Sequence, residues 1–544
     1  MKKTFLAAAV AAFFAHDPVA FAQTVPWRVA IGDSASVIVP GLPAGARSVT
    51  DELLGDLGKG YVGARLTSPD LAQGYWAMKQ GTWTQYTKLG VTGATQGPAR
   101  TGGEAGHVFY AISTGGSGAG ADGQRVFIGR AGVPNDATTA TWGVWRWDTT
   151  KNVEVARGNA SSGALSPNID ADWAYQNQSD TFQGARAMNG GQVLINAYVQ
   201  SPTGASSLYL AKSVPGEGMK PCALRNSVDR RMAPGLVDGD TFNTSWSFSN
   251  LTLTPENRVY GALDASGGRT GIWELCSGSG PVALVVDGET GARGPDIGIA
   301  TAVFTSFEPA SPGLPGSLYF FARFRPTSSD LSRSGLFWHD GTSSKPLAMN
   351  DAAGVYGPNW RGSTWNSFDT GSLTSAGEYV AFQGQVSTSD GGNPYGLWRV
   401  RAGGTPQLVA MRGINETGPE AGRQWDTFYG NAVLANGDII AEARTQPGSE
   451  YAVWLLKNDG SAPRRILKVG QSVSVPIASG TVQAAVTSYD IPSGAAQYSR
   501  GGDSWIGADG SLLISVNLAT YGSAMITALP SNPIDKIFAN GFDG

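Results

Sequence analysis

Histidine is nearly missing from this chain, with three in 544 residues, and cysteine is rarer still, with two. Zinc sites of the His/Cys kind need several such ligands at short spacing, and the sequence offers no such set, so neither metal nor cofactor is expected. Charged residues reach only 15% and the formal net charge is −4, which leaves no basic footprint and excludes nucleic acid as a partner. No run of apolar residues reaches the roughly 18 that a membrane-spanning helix requires, and no stretch sustains a helical hydrophobic period. A Gly-x-Ser-x-Gly nucleophile elbow is missing too.

What the chain has in quantity is glycine, 75 residues, and proline, 30, beside a 41% hydrophobic content that is ample for a core. These residues punctuate a repeat. A small residue, an apolar residue and a large apolar residue recur as GYW at Gly74, GVW at Gly143, SLY at Ser207, GIW at Gly271, GLF at Gly335, GLW at Gly396, AVW at Ala452 and SAM at Ser523. A loop proline recurs beside them at Pro40, Pro98, Pro167, Pro234, Pro295, Pro358, Pro419 and Pro476, with a mean spacing of about 62 residues. Glycine-led strands with alternating apolar residues open at Gly190, Gly316, Gly377, Gly437 and Gly510, and a Thr-aromatic mark recurs at Asp180, Asp240, Ser363 and Asp426.

Four strands per unit and eight units predict an all-β chain, a single eight-bladed β-propeller over residues 23–530. The first apolar stretch, Trp27 to Asp33, matches the fourth strand of a blade, whereas the last repeat supplies only three. The ring is therefore expected to close with the N-terminal strand completing blade 8, which leaves no open edge. A glycine-rich insertion at Gly115 reads as a surface loop, and the connection from Ser493 to Gly510 as a long one inside blade 8.

Met1 to Gln23 has the parts of a secretory signal: Lys2 and Lys3, an apolar run, then Ala20-Phe21-Ala22 for cleavage, with the signal assigned to residues 1–22. The expected location is secreted, periplasmic or at a bacterial cell surface. Cys222 and Cys276 then lie in a compartment that permits a disulfide, worth roughly 4 kcal/mol in the chain-entropy model, or they are two buried free thiols.

The GEYVAF, GQVLI and GDIIA strands followed by GIW or GLW resemble the bacterial secreted tandem-repeat families of the choice-of-anchor type, whose consensus strand reads Asn-x-x-Gly-x-x-Ala-Phe. The resemblance covers most of residues 27–530, though most copies lack the Asn. It implies a propeller without an assigned activity. The ending IFANGFDG, within the tail 531–544, is similar to a short ending on exported proteins and implies sorting or anchoring.

Long connections between blades are rich in acids and aromatics: Asp170, Asp172, Trp173, Asp238, Asp296, Trp360, Glu420 and Trp425. Such residues suit sugar rings or peptides, because aromatic rings give rigid apolar area and carboxylates accept hydroxyl hydrogen bonds. Asn168, Asp170 and Asp172 have calcium-loop spacing, but Trp173 and Ser179 stand where glycine and glutamate are needed, so a solvated acidic turn is the better reading. His107 falls on an inner strand of blade 2 and His339 at the outer edge of blade 5, too far apart to share a site. The sequence thus favours a non-enzymatic, monomeric binding or scaffold module for a glycan or protein. A carbohydrate-active lyase or hydrolase is the alternative, since a carboxylate pair or a Tyr/Arg site leaves no spacing signature.

Overall fold

Within residues 27–528 the computed structural model describes the chain except for 33–36, 38–40, 43–46, 57–60, 68–72, 80–81, 94, 100–105, 114–117, 120–123, 171, 244, 353 and 491–511. The expected signal segment, the tail, the connection 493–510 and most of the insertion at Gly115 lie outside the described residues. Among the described residues the structure is all-β, with single 3-10 turns and no α-helix. Eight sheets form there, numbered here 1 to 8 by their first hairpin; seven are built on a meander of antiparallel strands A to D, and sheet 8 adds a further strand that closes it on itself.

Sheet 4 is the pattern: strand A Leu251–Leu253, B Val259–Ala265, C Arg269–Leu275 and D Val282–Val286. On strand C, Gly271 pairs with Val286 and Ile272 with Val285, but Trp273 pairs with Ala283, so Leu284 is an extra residue in a β-bulge. Sheets 1 to 7 each shift register at the equivalent place between C and D. The bulge explains the glycine of the repeat. A Cβ on Gly271 would lie 2.4 Å from the Val285 carbonyl oxygen and 2.9 Å from the Trp273 ring, which folds back over the glycine.

That register corrects two of the sequence marks. In sheet 3 the residues equivalent to Gly271 and Trp273 are Tyr209 and Ala211, not Ser207 and Tyr209. The large and small side chains have exchanged places, so the ring still fills the space. In sheet 8 the equivalents are Ala524 and Ile526, one residue beyond Ser523 and Met525.

Strand C's ring meets an aromatic on strand A of the same sheet or, for Phe242 in sheet 4, on the segment before it that bridges to Ala265. Phe109–Trp145, Phe242–Trp273, Phe304–Phe337, Trp365–Trp398 and Trp425–Trp454 have centroids 4.6–5.4 Å apart in edge-on geometry. Tyr175–Tyr209, at 6.3 Å, is the looser counterpart in sheet 3. The Thr-aromatic mark is therefore out of phase in two sheets. Tyr175 and Trp425, not Phe182 and Phe428, are the equivalents of Phe242 and Trp365.

The same aromatic residues stitch one sheet to the next. A residue just past strand D donates its backbone N–H to the carbonyl of strand A in the following sheet: Gly90 to Phe109, Asn159 to Tyr175, Asn226 to Phe242, Gly288 to Phe304, Asp351 to Trp365, Gly413 to Trp425 and Gly470 to Val486, all at 2.8–3.1 Å. Each donor has a positive φ, between 60° and 85°. Only glycine adopts that conformation freely, and Asn and Asp tolerate it best among the rest, which is the composition seen. A disulfide, Cys222–Cys276, adds a covalent link between strand D of sheet 3 and the end of strand C of sheet 4.

Sheet 8 consists of strands A Gly480–Asp490, B Leu513–Leu518 and C Gly522–Ala528, with Trp27–Gly32 paired antiparallel to strand C. The segment Ser472–Ile477 pairs with strand A and, through Ser474, runs parallel to Arg28. Pro98 beside Asn152 and Pro295 beside Ser344 make the same kind of parallel contact with a strand D. The loop prolines there lie along strand D edges, where a residue without an N–H blunts further pairing. His339 ends strand C of sheet 5 and is not at an outer edge; it is buried, with Nδ1 3.1 Å from the Ser344 hydroxyl.

Candidate functional site

Antiparallel order puts the B–C turns and the D–A connections at one end of every sheet, and the stitches between sheets hold those ends side by side. Among the described residues most exposed large aliphatic side chains are there: Val133, Val228, Val237, Ile299, Leu331, Val355 and Val469 are on these segments, against Leu314 on an A–B turn and Val282 at the start of a strand D.

At this end of sheet 6 lies a recess of about 610 Å³. Its walls come from three segments distant in sequence. Trp360 and Arg361 belong to the connection from sheet 5. Asp390, Asn393 and Tyr395 come from the turn between strand B, Tyr379–Ser387, and strand C, Tyr395–Arg401. Arg412 immediately follows strand D, Gln407–Met411.

The B–C turn is tied internally. The Asp390 carboxylate accepts the Thr388 hydroxyl and the Gly392 N–H, Gln385 Nε2 donates to the Asn393 carbonyl at 2.9 Å, and the Ser387 hydroxyl donates to Asn393 Oδ1 at 3.0 Å. The Thr388 hydroxyl, then the Gly392 N–H, hold the Asp390 carboxyl below its usual range, so it stays ionised near neutral pH. Burial, then the charge of Asp369, pushes the Tyr395 phenol up. Arg361 lies 5.0 Å from the Trp360 ring centroid and pairs with Glu416. Arg412 donates its backbone N–H to the Tyr395 carbonyl at 2.8 Å. Two rings, ionic groups of both signs and an amide therefore converge on one hollow, a combination suited to a ring with many hydroxyls.

Of the residues singled out in sequence, Trp360 alone lines this recess. Trp425 is 1% exposed; its ring is the strand A half of the Trp425–Trp454 pair and its Nε1 donates to the Thr417 carbonyl, so it is core. Trp173 packs half-buried on the core shared by sheets 2 and 3. Asp170 pairs with Arg231, Asp238 with Arg230, and Glu420 joins Arg465, Glu450, Arg423 and Lys468 in a five-residue network. Asp172 is exposed at a φ of 68°. Asp296 sits at the opening of strand D in sheet 5, its N–H 2.8 Å from the Ser344 carbonyl and its carboxylate 3.4 Å from the Ser343 hydroxyl. Asp170 and Asn168 do line a second hollow of about 780 Å³ beside sheets 2 and 3, which has no aromatic wall. Asn168 there spends its Nδ2 on the Met219 carbonyl, and no group of three or more His, Cys, Asp or Glu able to hold a metal occurs among the described residues.

Sequence reasoning missed Arg361, Asp390, Tyr395 and Arg412. The turn-forming stretch from Thr388 to Pro394, ending on an aromatic, was the only signal.

No family model matches the sequence, and no curated protein matches it. Solved structures it is similar to include the β-propeller domain of the Trilobed protease from Pyrococcus furiosus, at 9% identity over 79% of this chain and 97% of that one, with a TM-score of 0.31. A polysaccharide lyase acting as an ulvan lyase is similar at 9% over 92% and 95%, TM-score 0.27. An α-L-arabinanase of Penicillium chrysogenum is similar at 8% over 64% and 93%, TM-score 0.26. Overlays this loose define no shared site.

Proposed function

We propose that this is an exported bacterial binding module whose eight sheets are the blades of one β-propeller, with Trp27–Gly32 as the last strand of the ring, and that it belongs with the tandem-repeat families its strands resemble. The succession of eight meanders, the seven stitched junctions and the pairing of Trp27–Gly32 with Gly522–Ala528 support the ring. In this reading the module works as a monomer at the cell surface, and its ligand is a glycan.

The observation that carries the glycan reading is the convergence of Trp360 and Tyr395 with Arg361, Asp390, Asn393 and Arg412 on one hollow. Rigid rings supply apolar area for the faces of a sugar, and the polar groups around them match its hydroxyls in both donor and acceptor sense. The purified mature chain, titrated against a panel of neutral and anionic polysaccharides, is expected to bind at least one. Trp360→Ala should weaken that binding about tenfold, the scale of one lost aromatic contact. Equal binding by the variant, or no binding across the panel, defeats this reading. Release of unsaturated or reducing ends would put a carbohydrate-active enzyme in its place.

A further inference from the structure

Beyond the recess, a chain of polar contacts runs into sheet 7, whose strands are A Gln424–Val433, B Ile439–Gln446 and C Glu450–Leu456. The Arg412 guanidinium is 56% exposed and lies 3.8 Å from Asp426, its one ion-pair partner among the described residues. Asp426, 6% exposed, is already engaged by Arg444, and Arg444 in turn donates to the Tyr451 hydroxyl at 3.2 Å. Tyr451 is hydrogen-bonded to Tyr429 at 3.3 Å between hydroxyls, and their rings stack at 5.5 Å and 28°.

Two features of this chain are unexpected on a surface with nothing to bind. Tyr429 and Tyr451 are 44% and 41% exposed, and among the described residues they are the only large aromatic side chains classed as exposed. They are also fixed rather than loose, since Arg444 covers the Tyr451 ring at 5.7 Å while it bonds the hydroxyl. Two guanidinium groups, moreover, share one buried carboxylate. The more exposed of the two is Arg412, at the rim of the recess.

Resting on the glycan reading of the recess, we propose that the ligand is an anionic, uronate-bearing polysaccharide that extends from the Trp360–Tyr395 recess past Arg412 and Arg444 onto the Tyr429–Tyr451 pair. The recess holds one ring, with Asp390 accepting hydroxyls. Arg412 takes a carboxylate in the planar two-point geometry that a guanidinium offers and an ammonium does not. The stacked tyrosines receive a later ring on a surface that needs no rearrangement to do so, which keeps the ordering cost of the second contact low.

The test uses the full mature chain and size-graded oligogalacturonates from dimer to octamer, with cello-oligosaccharides of equal length as neutral controls, by calorimetric titration. The octamer should bind roughly tenfold tighter than the dimer, the scale of one further stacking or charge contact. In Tyr429→Ala/Tyr451→Ala that gain should vanish while the dimer affinity is unchanged. Arg412→Gln should abolish the preference over the neutral series, and the preference of the parent should shrink with added salt. A dimer that binds without any gain in length, tyrosine variants that keep the gain, or neutral oligomers bound equally well would each overturn the extended anionic ligand and leave the recess reading standing. Binding by no member of either series would overturn both. Thermal unfolding of each variant, compared with the parent, separates lost contact from lost fold.

Discussion

A single methyl group placed on Gly271 tests why the repeat carries glycine before its aromatic residue. The added Cβ would sit 2.4 Å from the Val285 carbonyl oxygen and 2.9–3.0 Å from two ring carbons of Trp273. Backbone cannot yield as a flexible side-chain tip does, so the strand D bulge or the tryptophan must move, and overpacking of this sort costs about 1–3 kcal/mol. Alanine also narrows the unfolded ensemble, which returns about 0.4–1 kcal/mol. The expected net is a loss of about 1–2 kcal/mol for Gly271→Ala. The other sheets grade the effect, because the same oxygen would be 2.6 Å away at Gly143, 3.0 Å at Gly335 and 3.1 Å at Gly396. Gly396→Ala, whose Cβ would also meet Trp398 Nε1 at 3.0 Å and Met411 Sδ at 3.2 Å, should therefore cost less than Gly271→Ala, and Ala452, which already occupies this place in sheet 7, is the natural example of accommodation. Calorimetric midpoints of the four variants, with tryptophan fluorescence to follow the ring, provide the assay. If Gly271→Ala is as stable as Gly396→Ala, the bulge carbonyl is not what the glycine is for.

Trp425→Ala should cost about 3–5 kcal/mol, as the removal of a buried tryptophan does, whereas Trp360→Ala at the rim of the recess should cost only about 1, and equal losses would contradict the placement of Trp425 in the core. Serine at both Cys222 and Cys276 should lower stability by about 4 kcal/mol, given the 54 residues that the bridge spans, with reductant acting on the parent in the same direction; an unchanged midpoint would mean that the link is not formed. Deleting 25–32 exposes the backbone groups of strand C in sheet 8 and should destabilise the protein far more than removing the tail from Ser531, and a tolerated N-terminal deletion would deny the ring its closing strand. Burial holds the His339 imidazole below its usual range, so below about pH 6.5 the unfolded chain binds a proton the folded chain refuses and stability falls with pH, by up to about 1.4 kcal/mol per unit for one group. Burial, then Glu274, raises the Tyr260 phenol to about 12, so above about pH 10 the unfolded chain releases a proton the folded one keeps and stability falls again. Midpoints across pH 5 to 11 check both limbs, and His339→Gln should flatten the acid one; a midpoint that rises on acidification from pH 7 to 5.5 refutes it.

The sequence exposed what side-chain volume and glycine enforce. Gly143, Gly271, Gly335 and Gly396 marked strand C correctly because a bulge oxygen and a folded-back ring leave little space for a Cβ. It misled where the same space is filled another way, as by Tyr209 and Ala211, and where the constraint is a backbone bond. The carbonyls of Tyr175 and Trp425 accept a stitch that requires no particular side chain, so the Asp-Thr-Phe stretches nearby drew the alignment away from them. The site was harder still. A tryptophan in a connection has the same letter whether it lines a recess, as Trp360 does, or packs in the core, as Trp425 does, and an acid such as Asp238 gives no sign that Arg230 is waiting for it. Recess and tyrosine pair are assembled from five separate segments, and only the fold brings them together.

At seven junctions among the described residues a donor after strand D of one sheet meets an acceptor at strand A of the next, so these neighbours fit by a bond between main-chain atoms. A gene segment that encodes one such unit could be duplicated, lost or moved and would still latch at both sides, whatever its side chains, provided a glycine, asparagine or aspartate turns the corner. Copies could then drift apart in sequence without losing their place in the array. Drift would be limited mainly by the bulge beneath the aromatic ring, and a newly inserted copy could carry a different binding loop into the same frame.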